Sequence, residues 1–206
     1  MRDGIQRLLT AARVPDTVQP QMFGLWRIRR LHLTQGDALR VGWPTQTRLE
    51  RYTLAVEMAE HGEGALVMED SQRELSRHLP CWLHAHGNVL VTGLGLGCVV
   101  RGLLACPKVE HIDVVEIDRG ILHVIGAEFV RHPKVTLHHG DALTWAPGPR
   151  QRWTLGWHDL WSAPEEGHLA ILHGKVLLRF APYCDAQGAW QFPRAFKRLW
   201  PTPLIG

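Results

Sequence analysis

The sequence predicts an α/β fold with a Rossmann-like parallel sheet that is shortened at the C-terminus and preceded by a small N-terminal α/β extension. From residue 88 onward, short apolar runs alternate with segments of helical periodicity, which is typical of βαβ units. Only about two dozen residues, with four prolines among them, follow the last helical pattern at Phe180. We therefore divide the chain into an N-terminal extension (1–86), a Rossmann-like core (87–181) and a C-terminal tail (182–206).

The composition is that of a globular protein. Hydrophobic residues make up 45% and charged residues 21% of the 206 positions, which is enough apolar material for a packed core. No apolar run approaches the roughly 18 residues that a membrane span requires, and the first residues lack the apolar segment of a secretory signal. We expect a cytoplasmic protein without a membrane partner. The net charge of +3 is too small to indicate a polyanionic partner by itself.

The first half of the extension is predicted to hold a helix, a linker and a hairpin. The helix covers 1–12 and ends before Pro15, and the Pro/Gln-rich segment 15–21 is predicted to be a linker. The apolar runs 25–33 and 38–41 flank a cluster of turn-forming residues, which indicates two paired strands.

Two capping boxes predict helices in the second half of the extension. Thr47 lies three residues before a glutamate, and apolar residues then recur at helical spacing, so we expect a helix that ends near Gly62. A short strand is expected at 64–69. Ser71 begins the second capping box and a second helix, in which Pro80 is expected to produce a kink.

The core is predicted to contain four parallel strands and three helices. The strands are expected at Asn88–Thr92, Ile112–Glu116, Val135–His138 and Trp153–His158. The helices are expected at Cys98–Ala105, Ile121–Phe129 and Glu165–Phe180. The tail is too short to hold three further strands.

A glycine-rich turn follows the first core strand. Gly93, Gly95 and Gly97 form a G-x-G-x-G pattern that opens a helix. Glycine allows a tight turn and a close approach of a ligand to the backbone, and the free N–H groups at a helix start favour polar or anionic groups. The pattern indicates a small-molecule site, with a purely structural turn as the alternative.

Two acids lie at the end of the second strand. Their sequence spacing from the glycine turn is the one at which a carboxylate typically binds a ribose diol. Glu116 and Asp118 lie about 20 residues after Gly97. Glu116 follows an apolar run beside the glycine turn, which favours ribose binding over a solvated charge. For Asp118, ribose binding and an N-cap for the next helix remain equal alternatives.

The third strand ends in a further acid, Asp141, which we expect at the same sheet edge. Its carboxylate is suited to accept a hydrogen bond from the exocyclic amine of adenine. A nicotinamide-dependent dehydrogenase is the main competing interpretation. It is disfavoured because its fingerprint needs glycine at position 98, where this chain has Cys98.

These motifs resemble those of class I S-adenosylmethionine-dependent methyltransferases, and within them the spermidine-synthase-like branch. The resemblance rests on V-T-G-L-G-L-G, V-V-E-I-D and H-G-D-A-L in order, within about a third of the chain. It implies S-adenosylmethionine as cofactor, with the three glycines beside its methionine and ribose. It further implies that Glu116 binds the ribose hydroxyls and that Asp141 and the Ala142 amide hold adenine.

The fourth strand ends in His158 and Asp159, which the resemblance places at the mouth of the site. A group attached to a sulfonium is already activated, so the protein mainly aligns a nucleophile and accepts one proton. Either residue is a candidate catalytic base, and satisfaction of backbone groups is the alternative. The chain departs from aminopropyltransferases at Leu94 and Leu96, because that branch usually has an acid within the glycine loop.

Three functional hypotheses follow from these residues. The first is a methyltransferase with an unidentified, small-molecule acceptor. The second is aminopropyl transfer to a diamine. The third is a non-catalytic nucleotide-binding or assembly module, which would use a homodimer to protect the edge of a short sheet.

Metal and nucleic-acid partners are less favoured. The histidine pairs at 84 and 86 and at 138 and 139 lack the further ligands of a familiar metal site, so we expect no metal. Arginines at 27, 29 and 30, and basic residues at 194–198, are interpreted as solvated charge in preference to a nucleic-acid surface.

Overall fold

The computed structural model describes residues 2–32, 50–56, 65–160 and 166–190. These residues form two sheets. One is a four-stranded antiparallel sheet near the N-terminus, and the other is a five-stranded sheet in which every pairing is parallel. The predicted α/β class, with a Rossmann-like sheet and an N-terminal α/β extension, is confirmed.

The N-terminal sheet follows one helix. Helix α1 covers Arg2–Ala11, as expected. The strands, in both chain and spatial order, are β1 (Gln21–Phe23), β2 (Trp26–His32), β3 (Glu50–Val56) and β4 (Ala65–Glu69). The strands predicted at 25–33 and 64–69 are therefore confirmed in substance, whereas the predicted partner strand at 38–41 lies outside the described residues.

Two predictions in this extension are wrong. The helix predicted from Thr47 is replaced by β3, which pairs with β2 on one side and β4 on the other. Its residues Tyr52, Thr53 and Val56 are of types that favour strands, and backbone pairing on both sides outweighs the helical spacing. The end of the linker predicted at 15–21 is also wrong, because Gln21 begins β1, which turns into β2 at Gly24 with φ of +56°.

The second capping box is confirmed, but it begins two short helices. Helix α2 covers Gln72–Ser76, and the Ser71 side chain accepts a hydrogen bond from the Glu74 amide. Helix α3 covers Leu79–His84, with Pro80 in its first turn. Proline lacks an N–H group, so it interrupts the first helix and is well placed at the start of the next.

The parallel sheet has the strand order β7-β6-β5-β8-β9. The strands are β5 (Gly87–Thr92), β6 (Val109–Glu116), β7 (Val135–His139), β8 (Trp153–His158) and β9 (Cys184–Ala189). The helices between them are α4 (Cys98–Leu104), α5 (Arg119–Val124) and α6 (Glu166–Phe180), with a 3-10 turn at Gly126–Glu128. The helix predicted over Ile121–Phe129 is thus divided between α5 and the 3-10 turn.

The expectation of four core strands is wrong, because β9 adds a fifth within the segment assigned to the tail. Its sequence, CDAQGA, carries no β-branched residue, so local propensity does not reveal it. Pairing with β8 supplies the missing stabilisation. The side-chain Oε1 of Gln187 also accepts a hydrogen bond from the imidazole Nε2–H of His158 on the neighbouring strand at 3.0 Å.

Apolar side chains cover both faces of the parallel sheet. One face packs Val91 and Trp157 against helices α1, α3 and α4, and the other packs Leu90 and Trp153 against Phe180 of α6. Burial on both faces is typical of parallel sheets. Within the described residues, no helix combines the length and hydrophobicity that crossing a bilayer would require.

Candidate functional site

A cleft of about 640 Å³ lies at the carboxyl end of the parallel sheet. Backbone hydrogen bonds continue past the strand ends and keep the following residues side by side. The Gly93 amide donates to Val115 O at 2.8 Å, the Asp159 amide to Thr92 O at 2.8 Å, and the Gly140 amide to Glu116 O at 3.0 Å. Ligands of open α/β sheets bind at this edge, and the volume is in the usual range for small-molecule sites.

The glycine loop contributes to the cleft at two of its three glycines. Gly93 and Gly95 line the cleft, with φ of +89° and +50°. A Cβ on Gly93 would collide with the backbone oxygen of Asp159, and a Cβ on Gly95 with the Met68 sulfur. Gly97 has φ of +79° at the N-cap of α4, packs against the Phe129 ring and does not line the cleft.

The two leucines of the loop anchor it in the core. Leu94 and Leu96 are both buried. Arg101 also holds the loop, because its Nη1 donates to Leu96 O at 2.8 Å. Its Nε and Nη2 donate to the Glu128 carboxylate at 2.8 and 2.7 Å. The acid that aminopropyltransferases usually have in this loop is therefore replaced by side chains that point into the core.

Glu116 is buried at the end of β6 and lines the cleft. Its Oε2 accepts from the Leu94 amide at 2.7 Å and its Oε1 from the Asp118 amide at 2.8 Å. Burial raises the pKa of this carboxyl, and the two amide bonds oppose that rise. Each carboxylate oxygen can accept a second hydrogen bond, so Glu116 is oriented by the backbone with acceptor capacity remaining for a diol.

Asp118 caps the next helix. Its Oδ1 accepts from the Ile121 amide at 2.9 Å, and its Oδ2 accepts from the Trp26 indole at 2.8 Å. Of the two alternatives for Asp118, the structure supports the N-cap, although the residue also lines the cleft. Through Trp26 the N-terminal sheet forms part of the wall.

Asp141 and Ala142 follow β7 and line the cleft, as the sequence predicts for an adenine site. Asp141 Oδ1 accepts from the Leu143 amide at 2.9 Å, which fixes the carboxylate in a turn. Ala142 is buried against the second face of the sheet. Together with Glu116, Gly93 and Gly95, these residues line the part of the cleft that we name the nucleoside half, after the ligand that the sequence predicts for it.

The structure does not bring His158 to the cleft. Its imidazole is fully buried on the face of the sheet that α6 covers. There it stacks on Phe180, with ring centroids 5.6 Å apart. Its two ring nitrogens contact Thr92 Oγ1 at 2.9 Å and Gln187 Oε1 at 3.0 Å. Burial lowers the pKa of His158 to about 4, so the ring is neutral near pH 7 and serves the packing of β8 and β9.

Asp159, the next residue, lines the cleft beside the glycine loop. Its side chain is 17% exposed. Burial, followed by the negative charges of Glu74 and Glu116, raises the pKa of Asp159 to about 7. A carboxyl with such a pKa exchanges a proton readily near neutral pH.

Several further residues of the cleft were not identified as site residues from the sequence. Glu74 in α2, Trp190 after β9 and Met68 in β4 all line it. Glu74 Oε1 accepts a hydrogen bond from the Trp190 indole, and burial raises the pKa of Glu74. The only sequence signal for Glu74 was its position in the Ser71 capping box. Helix capping accounts for a glutamate at that position, so nothing indicated a place in the cleft. We name Glu74, Asp159 and Trp190 the acceptor half of the cleft, after the role that we propose for them.

The histidine pairs have local contacts in the protein. His84 and His86 place their Nδ1 atoms 2.8 and 3.0 Å from backbone carbonyl oxygens. His138 Nε2 lies 2.7 Å from Asp113 Oδ1, and His139 Nε2 lies 3.0 Å from a backbone oxygen. Among the described residues there is no group of three or more potential metal ligands.

The fold and the cleft together resemble those of a known class of proteins. A parallel sheet with a glycine loop after one strand, a buried acid after the next and an Asp-Ala pair after the third resembles the class I S-adenosylmethionine-dependent transferases. The resemblance predicted from the sequence is confirmed by curated relatives of two kinds, methyltransferases and polyamine aminopropyltransferases.

The relatives match only part of the chain, and no family model matches. Polyamine aminopropyltransferase of Lachnoclostridium phytofermentans is 28% identical over 116 residues, which are 52% of this chain and 41% of that protein. Spermidine synthase of Dictyostelium discoideum is 34% identical over 85 residues, 36% of this chain and 29% of that protein. Ribosomal RNA small subunit methyltransferase A of Chromobacterium violaceum is 47% identical over 57 residues, 27% of this chain and 20% of that protein. The chain spans less than half the length of these relatives.

Solved structures with a similar arrangement include a 23S rRNA methyltransferase, with a TM-score of 0.43, 20% identity, and coverage of 58% of this chain and 45% of that one. Human methyltransferase-like protein 13 in complex with S-adenosylhomocysteine has a TM-score of 0.41, 24% identity, and coverage of 54% of this chain and 56% of that one.

Proposed function

We propose that this chain is a methyltransferase that uses S-adenosylmethionine and a small-molecule acceptor, both bound in the 640 Å³ cleft. The observation that carries the proposal is the meeting of the glycine loop, Glu116, Asp141 and Asp159 in one cleft at the carboxyl edge of the sheet. The first three fit a nucleoside, and Asp159 lies beside them with a pKa suited to proton transfer.

The residues of the nucleoside half fit the cofactor chemically. Glu116 retains acceptor capacity for the ribose, because the Leu94 and Asp118 amides bond to different carboxylate oxygens. Asp141 offers an acceptor for an exocyclic amine, and Gly93 and Gly95 form positive-φ turns in which a Cβ would collide with the Asp159 oxygen and the Met68 sulfur. Met68, whose sulfur accepts from the Leu96 amide at 2.9 Å, is an unbranched side chain that can move aside.

The acceptor half supplies orientation and a proton site. When bound, S-adenosylmethionine provides a carbon attached to a positively charged sulfur, which leaves as a neutral thioether. Asp159 in its ionised form accepts the proton that the attacking nitrogen or oxygen of the acceptor loses as its lone pair forms the bond to carbon. Trp190, held by Glu74, offers a flat surface for the acceptor.

Binding is tested by isothermal titration with S-adenosylhomocysteine. We expect Glu116→Gln to weaken binding at least about tenfold, because a neutral amide is a poorer partner for two hydroxyls. Glu110→Gln is the matched control, since Glu110 is exposed on the same strand and should leave affinity unchanged. Tight binding of a nicotinamide dinucleotide, with none of S-adenosylhomocysteine, would contradict the proposal.

Transfer is tested by offering S-adenosylmethionine labelled in its methyl group with a mixture of amines, phenols and ribosomal RNA. A labelled small product supports the proposal. A labelled RNA would assign the acceptor to the class that the rRNA methyltransferase relatives act on. Binding without transfer to any acceptor would favour a non-catalytic nucleotide-binding module.

Aminopropyl transfer is the second candidate, and the acceptor half favours it. Glu74 and Asp159 place two carboxyls in one part of the cleft, an arrangement suited to a cationic diamine. The loop leucines at 94 and 96 disfavour it. Supplying decarboxylated S-adenosylmethionine with putrescine and following the release of methylthioadenosine separates the two reactions, because methyl transfer yields no methylthioadenosine.

A further inference from the structure

A buried histidine lies directly behind Asp159. His78 is in the turn between α2 and α3, is fully buried, and packs beside Trp82 and Trp157. The indole Nε1 of Trp157 donates to His78 Nδ1 at 3.2 Å. Because an indole N–H is only a donor, Nδ1 must carry the lone pair, and the proton of the neutral ring is on Nε2.

The Nε2–H group of His78 faces the Asp159 carboxyl. Nε2 is buried and has no hydrogen-bond partner among the residues that the structure describes, and it lies 3.9 Å from Asp159 Oδ2. An unpaired buried N–H group is unfavourable, and the gap is about one ångström longer than a hydrogen bond. A small rotation of the Asp159 side chain would close it, and catalytic hydrogen bonds commonly tighten when substrate binds.

We propose that His78 is a positioning residue for Asp159: Trp157 fixes its tautomer, and its Nε2–H then donates to Asp159 Oδ2. This contact orients the carboxyl, stabilises its ionised form and leaves Oδ1 as the oxygen that receives the acceptor's proton. The inference rests on the proposed function, in which Asp159 is the base, and it assigns a role to two residues outside the cleft lining.

The surroundings of Asp159 make a neutral donor valuable. The titratable groups that face it are His78, Glu74, Glu116, Cys81 and Cys98. Both thiols are neutral because burial raises their pKa, and the two glutamates oppose ionisation of Asp159. Burial lowers the pKa of His78 to about 3, so the ring acts as a dipole and not as a cation. Within this set His78 alone offers an N–H group.

The first test requires no mutation. Long-range ¹⁵N NMR of the wild-type protein near pH 7 reports which imidazole nitrogen of each histidine carries the proton. We expect His78 to be the Nε2–H tautomer, and its resonances are identified by their loss in His78→Phe. A Trp157→Phe variant should lose this preference. Observation of the Nδ1–H tautomer in the wild type would overturn the proposal.

The second test measures the pKa of Asp159 directly from the carboxyl ¹³C shift of aspartate-labelled protein, with Asp159→Asn identifying the resonance. We expect His78→Phe to raise that pKa by about one unit, equivalent to tenfold less ionised base below the pKa. His78→Gln, which keeps an N–H donor, should recover part of the shift. His123→Phe, at an exposed histidine of α5, is the control and should have no effect. An unchanged pKa in folded His78→Phe would refute the inference.

The pH profile of transfer separates this inference from the proposed function. If both hold, the acidic limb of the kcat profile moves upward in His78→Phe by the same amount as the Asp159 pKa. If the pKa moves but Asp159→Asn retains full transfer, His78 positions Asp159 and the assignment of Asp159 as base fails. If transfer depends on Asp159 and neither the pKa nor the profile responds to His78, the proposed function stands and the positioning role fails.

Discussion

The two halves of the cleft hold their carboxylates in different ways. In the nucleoside half, Glu116 and Asp141 accept hydrogen bonds from backbone amides, which fix their direction, and Asp118 at the neighbouring helix cap does the same. In the acceptor half, Glu74 bonds to an indole, and Asp159 faces two other carboxylates. Backbone amides make an oriented binding group, whereas burial beside like charges makes a group that titrates near neutral pH.

The largest expected effect separates these roles. Asp159→Asn should lower the transfer rate by about 10²- to 10⁴-fold, the usual contribution of a general base, and change S-adenosylhomocysteine affinity less than twofold. The measurements are kcat and isothermal titration. Asp185→Asn, at an exposed aspartate, is the control. If Asp159→Asn weakened affinity as strongly as it lowered kcat, the division into two halves would be incorrect.

Gly93 of the nucleoside half lies against the backbone of Asp159 in the acceptor half. A substitution at Gly93 should therefore disturb the geometry of both halves. Gly93 has a φ of +89°, which strains any other residue. In Gly93→Ala the added Cβ also collides with the backbone oxygen of Asp159. We expect a loss of about 3 kcal/mol in the free energy of unfolding, measured with urea. Gly174→Ala in α6 is the matched control, because a Cβ there has open space and a helical alanine gains up to about 1 kcal/mol. Equal stability of the two variants would contradict the geometry of the loop.

The acceptor half should also reduce stability at higher pH. The pKa of Asp159, at about 7, is above its ordinary value of 3.8, so between these values the folded state holds a proton that the unfolded state has released. Stability is therefore lost as the pH rises through this window. The advantage of Asp159→Asn over wild type in urea unfolding should grow by about 1 to 2.5 kcal/mol from pH 5 to pH 8. A difference that is flat with pH would show that Asp159 has an ordinary pKa.

The smallest expected effect concerns the Asp118 cap. Asp118→Ala removes the bond to the Ile121 amide and the bond to Trp26, and should cost about 1 to 2 kcal/mol. Trp26→Phe removes the indole bond and retains the cap. Both variants are measured by thermal unfolding. The stability lost in Asp118→Ala beyond that lost in Trp26→Phe is the contribution of the cap. Comparable losses would assign the stabilisation to the indole contact.

The sequence placed Gly93, Glu116 and Asp141 at one edge of the sheet because the signals for these positions are local. Glycines before a helix and acids at strand ends are fixed by backbone requirements within a few residues, so Gly93, Glu116 and Asp141 could be placed in order. It did not separate His158 from Asp159. The two are adjacent, but the strand alternation that ends at His158 points its ring into the core, while Asp159 lies beyond the strand and faces the cleft.

The acceptor half could not be predicted for a different reason. Glu74 and Trp190 are 116 residues apart in the chain, so no local sequence pattern indicates their contact. Trp190 reaches the cleft because β9 pairs with β8, and the composition of β9 does not reveal a strand. Strand β3 was missed for a similar reason. Its backbone pairs with β2 and β4, and this pairing outweighs the helical spacing of its apolar residues.

Met68 connects the antiparallel sheet to the glycine loop through the Leu96 amide and occupies the space in front of Gly95. The two parts of the chain are therefore not interchangeable units. A chimaera that joined a foreign N-terminal unit to the parallel sheet would need a side chain of the same reach at this position. The antiparallel sheet therefore helps to set the shape of the cleft in front of the glycine loop.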